Sequence, residues 1–64
     1  MRISGPKLAY HLADQEITLT KLSAKAGVSR GTLSMIKSGK RCSDETGLKI
    51  AEALGVKPED LLEK

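Results

Sequence analysis

Aromatic side chains are nearly missing from this 64-residue sequence, which has one Tyr and no Phe or Trp. That leaves little material for an aromatic-lined ligand pocket or for a platform on which bases could stack. There is a single cysteine, Cys42, so no internal disulfide can form, and no Cys/His cluster at zinc spacing. Neither staple common in small secreted domains is present. No apolar run approaches a signal peptide or a membrane span. A reducing cytoplasm is the expected location, with no membrane partner. Paired carboxylates, a Ser/His/Asp set and a phosphate-cradling glycine loop are also missing, so no enzymatic activity, cofactor, metal or small-molecule ligand is expected. His11 stands alone on its segment and is expected to be a surface or partly packed side chain.

One further absence is local. Between Thr18 and Ser43 there is no Asp or Glu, while six cations fall there: Lys21, Lys25, Arg30, Lys37, Lys40 and Arg41. The segment carries +6 and the remainder −3, against a net +3 for the chain. A mildly basic total says little by itself. Concentration of the charge on one unit of an otherwise slightly acidic chain gives that unit a reason to meet a polyanion.

What is present is mostly Leu, Ile, Val and Ala. A chain this short buries only about 60% of its unfolded surface, so a single domain spanning residues 1–64 must spend nearly all of these on one core. Caps and breakers divide it into five helical segments, and no segment alternates with period two. Ser4 caps the first, with Pro6 in its opening turn and Leu8 and Leu12 on one face. It should run out near Gln15 or Glu16. Thr18 caps a second segment, about Leu19 to Ala26, with Leu22 and Ala26 inward, which Gly27 ends. Val28 plugs the turn, and Ser29 caps a third segment, about Arg30 to Lys37, with Leu33 and Ile36 inward and Gly39 as its stop. Ser43 caps a fourth, in which Asp44 and Glu45 complement the macrodipole and Leu48, Ala51 and Leu54 form the buried stripe, widened by Ile50 and Ala53. Gly47 inside it costs about 1 kcal/mol relative to Ala, and nothing in the sequence accounts for it. A fifth helix is expected to start at Lys57-Pro58-Glu59-Asp60 and to contribute Leu61 and Leu62. Tyr10 is expected to pack where the first and fifth helices meet.

The second and third segments meet the demands of a helix–turn–helix, with a core at about residues 19–39. In that unit the first helix braces against the DNA backbone and the second enters the major groove. The tight turn is at Gly27, the plug is Val28, and Leu33 and Ile36 form the inner face. Arg30, Gly31, Ser34 and Met35 then point outward, with Lys37 and Ser38 near the far end.

The stretch LTKLSAKAGVSRGTLSMIKSGKR (Leu19–Arg41) resembles the helix–turn–helix of the phage-repressor family, the Cro/repressor-type or XRE proteins. LKIAEALGVKPEDLL (Leu48–Leu62) is similar to that family's fourth and fifth helices, so the resemblance covers nearly the whole chain and is weakest over Met1–Glu16. It implies an all-α, compact five-helix domain that binds operator half-sites in double-stranded DNA and regulates transcription, as a small regulator of phage, mobile-element or bacterial-operon type. Carried over by position, Arg30, Gly31, Ser34 and Met35 fall where bases are contacted. Ser29, Thr32, Lys37, Ser38, Lys40 and Arg41 fall where phosphates are held. Arg30 can donate two hydrogen bonds to a guanine edge, Met35 offers apolar contact, and Gly31 permits close approach. A weak homodimer that tightens on DNA is the expected state.

Four departures stand out. Leu19 occupies a position where the family often has a phosphate-bridging Gln, and a packed role against Ile17 or Ile3 is expected instead. Ser23 replaces the usual Ala. Leu12 and Lys37 stand where members often pair an Arg with a Glu, which orphans no charge and leaves Lys37 free for phosphate. Lys57 replaces the usual cap of the last helix. The losses at Leu19 and Gly31 leave a second function open, a protein-interaction module such as an antitoxin or anti-repressor partner with DNA binding secondary or lost. Cys42 follows Arg41, whose charge should lower its thiol pKa, yet a reduced and silent role in the loop is expected.

Overall fold

The computed structural model describes residues 1–63. Its elements are α1 (Gly5–Asp14), α2 (Leu19–Ala26), α3 (Arg30–Lys37), α4 (Asp44–Leu54) and a 3₁₀ turn over Pro58–Asp60. α2 lies against both α3 and α4, α1 lies against α3, and the 3₁₀ turn lies against α4. Side-chain oxygens of Ser4, Thr18, Ser29 and Ser43 accept the backbone N–H three residues on, so all four expected N-caps are made. Each such cap is worth about 1 kcal/mol, which matters for helices of this length that would not hold alone in water.

Stops are equally local. Gly27 ends α2 at φ 70°, ψ 27°, a left-handed conformation that a Cβ would strain. α1 ends at Asp14 without a glycine. Glu16 takes the left-handed position there, at φ 55°. Ile17 N–H then bonds Leu12 O at 3.0 Å and Glu16 N–H bonds Ala13 O at 3.1 Å, closing the last turn.

The core is assembled from all four helices and the segments beside them: Ile3, Leu8 and Leu12, then Leu22, Val28, Leu33 and Ile36, then Ile50, Ala51, Leu54 and Leu61. Leu19 and Ile17 are half-buried against it, as expected of a leucine that replaces a polar bridge. Two packing expectations fail. Leu48 is 51% exposed, because the buried stripe of α4 runs through Gly47, Ile50, Ala51 and Leu54. Tyr10 is 65% exposed and its ring stands edge-on to that of His11, with centroids 5.2 Å apart. It lies on the far side of α1 from Leu8 and Leu12.

The domain also has four helices among the described residues and not five. The segment expected to be the fifth is a single 3₁₀ turn. Lys57 supplies no side-chain cap, and its N–H is held only by Asp60 Oδ2 at 3.2 Å. The groups that would extend a helix beyond Asp60 are used elsewhere. Ser4 N–H bonds Leu61 O at 2.7 Å, Glu63 N–H bonds Arg2 O at 3.0 Å, and Ile3 and Leu62 face each other as an isolated antiparallel bridge. Tertiary pairing of the tail with the N-terminal segment wins over helix propagation.

The N-terminal segment also explains both tight glycines. A Cβ on Gly47 would collide with the thioether of Met1, which fills the space beside α4. A Cβ on Gly5 would collide with the carbonyl oxygen of Lys37. The positive N-terminal end of α1 therefore seats directly on the negative C-terminal end of α3, an arrangement the two helix dipoles favour.

Candidate nucleic-acid interface

α3 is fixed from inside by Leu33 and Ile36, which are 0% and 1% exposed. Three-residue spacing of these anchors leaves the opposite face outward. Arg30, Gly31, Ser34, Met35 and Lys37 are all exposed, with Met35 at 51%. The four residues expected to reach bases thus share one face, and Met35 flanks the core without joining it. Gly31 has open space where a Cβ would stand, so its small size serves no internal packing.

The residues expected to hold phosphates border that face, and their hydroxyls are partly committed. Ser29 Oγ accepts from Thr32 N–H at 3.2 Å and donates to Thr32 Oγ1 at 2.7 Å, so the two hydroxyls first serve the cap. Ser38 Oγ donates to Met35 O at 2.8 Å. The Thr32 hydroxyl only accepts there, so its own O–H remains a free donor at the start of α3, together with the N–H groups of Arg30 and Gly31, which have no intrahelical partner. At the other end, Gly39 N–H bonds Ile36 O and Lys40 N–H bonds Met35 O, each at 3.0 Å, which sets the exit of the chain and the position of Lys40 and Arg41.

Electrostatics separates this surface from the rest. Among the described residues the ion pairs are the N-terminal ammonium with Asp44, Arg2 with Glu63, and Lys49 with Glu45. None involves Lys21, Lys25, Arg30, Lys37, Lys40 or Arg41. All six are exposed. With none of them held in an ion pair among the described residues, their charge is directed largely at solvent.

Cys42 departs from expectation. Burial pushes its thiol pKa up, against the pull of the N-terminal ammonium, and Asp44 adds to the rise. Desolvation disfavours the thiolate more than the neighbouring cation helps it. Its Sγ is 3.8 Å from Met1 O, and its backbone exchanges two hydrogen bonds with Met1, N–H to Met1 O at 3.0 Å and Cys42 O from the Met1 amine at 2.8 Å. The residue is half-buried against the core and ties the α3–α4 loop to the N-terminal segment. No group of three or more His, Cys, Asp or Glu among the described residues is placed to hold a metal. None of the described helices is long and apolar enough to cross a membrane.

Sequence reasoning missed one cation of this region, Arg2. Its Nη2 donates to Gly39 O at 3.4 Å, beside Lys40 and Arg41. The pairing joins residues 37 apart in the chain, and no local pattern announces it.

The family model for the Cro/C1-type HTH DNA-binding domain matches residues 7–63. The chain belongs to that family. The match spans most of α1 to the C-terminal tail, so it is not confined to the helix–turn–helix. No curated protein matches the chain. Among solved structures, this Cro/C1-type domain is similar to native PhpD with cadmium atoms, with a TM-score of 0.86 and 26% identity over 100% of this chain and 14% of that chain. PhpD with cadmium complexed with hydroethylphosphonate is similar at a TM-score of 0.85 and 26% identity, with the same coverage. The chain thus spans 14% of the length of either structure, and cadmium and the phosphonate are ligands of PhpD.

Proposed function

We propose that the chain is a small transcriptional regulator that binds double-stranded DNA sequence-specifically, with α3 in the major groove and no chemistry of its own. The observation that carries this reading is the exposed, acid-free cation set around an α3 whose outward face is free of internal packing duties. Cations on α2 and on the exit from α3 supply affinity through phosphate, and Arg30 supplies most of the sequence preference by hydrogen bonding a guanine edge. Met35 adds apolar contact and Gly31 lets α3 come close. With one strong reader, preference is modest per protomer. Two protomers on half-sites about one turn, ~10 bp, apart would raise it.

Titration of labelled duplexes at several salt concentrations tests the reading. About four phosphate contacts per protomer give a log–log salt slope near −3 to −4. A flat salt response overturns it. Replacing Arg30 with Ala should remove discrimination at one base position, worth about 1–3 kcal/mol. Uniform weakening on all sequences would instead make Arg30 a phosphate contact. Amide-shift mapping with duplex DNA should place the largest perturbations within Leu19–Arg41, and an unperturbed segment there would favour a protein partner.

A further inference from the structure

The basic surface does not end at Arg41. Arg2 lies in the N-terminal segment, outside the helix–turn–helix, yet its guanidinium reaches the carbonyl of Gly39, two residues past the end of α3. Its two contacts are both long: Nη2 to Gly39 O at 3.4 Å and Nε to Glu63 Oε2 at 3.7 Å, with the side chains 52% and 49% exposed. Neither distance lies in the range of a strong charge-assisted bond. An exposed ion pair of this kind holds its partners weakly, so the guanidinium can change partner at little cost. Lys7 is the useful contrast. Its ammonium donates to Leu62 O at 2.9 Å in a part-buried setting and is committed to the fold.

The segment carrying Arg2 is itself rigidly placed. It is pinned on one side to Cys42 by two backbone bonds and on the other to Leu61 and Glu63 by two more. Gly5 then seats it on the end of α3. Arg2 is thus held beside Ser38, Lys40 and Arg41 by backbone, while only its side chain is loosely held.

Resting on the DNA-binding reading above, we infer that Arg2 is a further phosphate contact of this interface, and that Glu63 competes with the nucleic acid for it. A carboxylate and a phosphate present the same fork of anionic oxygens to a guanidinium. In the free protein Glu63 stands in for the phosphate, and on DNA the backbone phosphate next to the α3 exit displaces it. Glu63 therefore weakens binding in two ways: it occupies Arg2, and it places a negative charge at the rim of the interface.

The test is a double-mutant cycle on the full chain, read as duplex affinity against salt, with circular dichroism and thermal melts confirming that each variant is folded. Arg2→Ala should weaken binding to all sequences alike and flatten the log–log slope by about 0.9. Arg2→Lys loses the forked contact but keeps the cation, and should restore the slope. Glu63→Gln should tighten binding, and that gain should shrink in the Arg2→Ala background. Wild-type slope in Arg2→Ala overturns the inference, as does failure of Arg2→Lys to restore it, which would make Arg2 a purely structural tie. An equal Glu63→Gln gain with and without Arg2 removes the competition. If the wild-type chain itself shows no salt-dependent binding, the DNA-binding reading falls and takes this one with it. Salt-dependent wild-type binding with an inert Arg2 sinks this inference alone.

Discussion

α3 and α4 are built from the same local instructions and turned to different ends. Each opens on a serine whose hydroxyl accepts the N–H of a threonine three residues on and donates to that threonine's own hydroxyl: Ser29 with Thr32 and Ser43 with Thr46. Each buries an isoleucine almost completely, Ile36 and Ile50. Their outward faces diverge. α4 begins with Asp44 and Glu45 and carries the Glu45–Lys49 pair at 3.5 Å, the arrangement that most favours an isolated helix. α3 begins with Arg30, has no acid in its first turn, and ends with an unpaired Lys37 among the described residues. A cation at a helix N-terminus opposes the dipole, so α3 forgoes about 0.3–1 kcal/mol that α4 collects. What α3 keeps in return is a positive end with free N–H groups, the form a phosphate oxygen needs.

If the two helices differ only outside, they should fail alike when cut inside. Ile36→Ala and Ile50→Ala are each expected to destabilise the domain by about 2–5 kcal/mol. In a domain this small either loss approaches the whole stability. Urea denaturation checks this. A cost below 1 kcal/mol at Ile36 alone would mean that α3 is held by its neighbours' backbone and not by its own core, and the comparison would break.

The second prediction contrasts the two glycines under the N-terminal segment. A Cβ on Gly5 meets the backbone carbonyl of Lys37, which cannot move without shifting the last turn of α3. Gly5→Ala should therefore cost about 1–3 kcal/mol, and it should weaken duplex binding because Lys40 and Arg41 move with that turn. A Cβ on Gly47 meets the sulfur of Met1, the far end of a flexible side chain. There the helix propensity gained, about 1 kcal/mol, offsets the packing lost. Gly47→Ala should leave the melting temperature within a few degrees of wild type and binding unchanged. Equal costs at the two sites would show that α3 and α4 are seated with equal tolerance.

These glycines mark the limit of what the sequence disclosed. The four caps, the Gly27 turn, the Val28 plug and the inner residues of α3 were legible because each is decided within four residues of itself. The outward face of α3 followed from the inner one by helical geometry alone, so every residue expected to face DNA is exposed or half-buried at its rim. Tyr10 and Leu48 were misjudged because apolar character stood in for position, and each lies off the stripe that packing selected. The fifth helix failed for a longer-range reason: its backbone groups pair with residues 2–4, and no cap or period in Leu61–Glu63 reveals a partner some 58 residues away. Arg2 was hidden in the same way, 37 residues from the Gly39 carbonyl it reaches. Local grammar predicted the recognition unit, and the clasp that seats it required the fold.

The smallest stability effect carries the sharpest comparison. Arg30→Glu gives α3 the first turn of α4. If the outward face of α3 were merely solvated, this change would be a plain improvement, since an acid at that position interacts favourably with the helix dipole. The folded state should indeed gain about 0.3–1 kcal/mol relative to an Arg30→Gln control at low ionic strength, and salt should erase the gain by screening. Duplex affinity should move the opposite way, falling at least about tenfold as a base contact is lost and a carboxylate meets the groove. Stability and binding would then be shown to compete at one residue, with the natural choice made for binding. Loss of stability in Arg30→Glu would mean that Arg30 is tied into the fold. Gain of stability with unchanged affinity would show that the exposed face of α3 is no more specialised than that of α4.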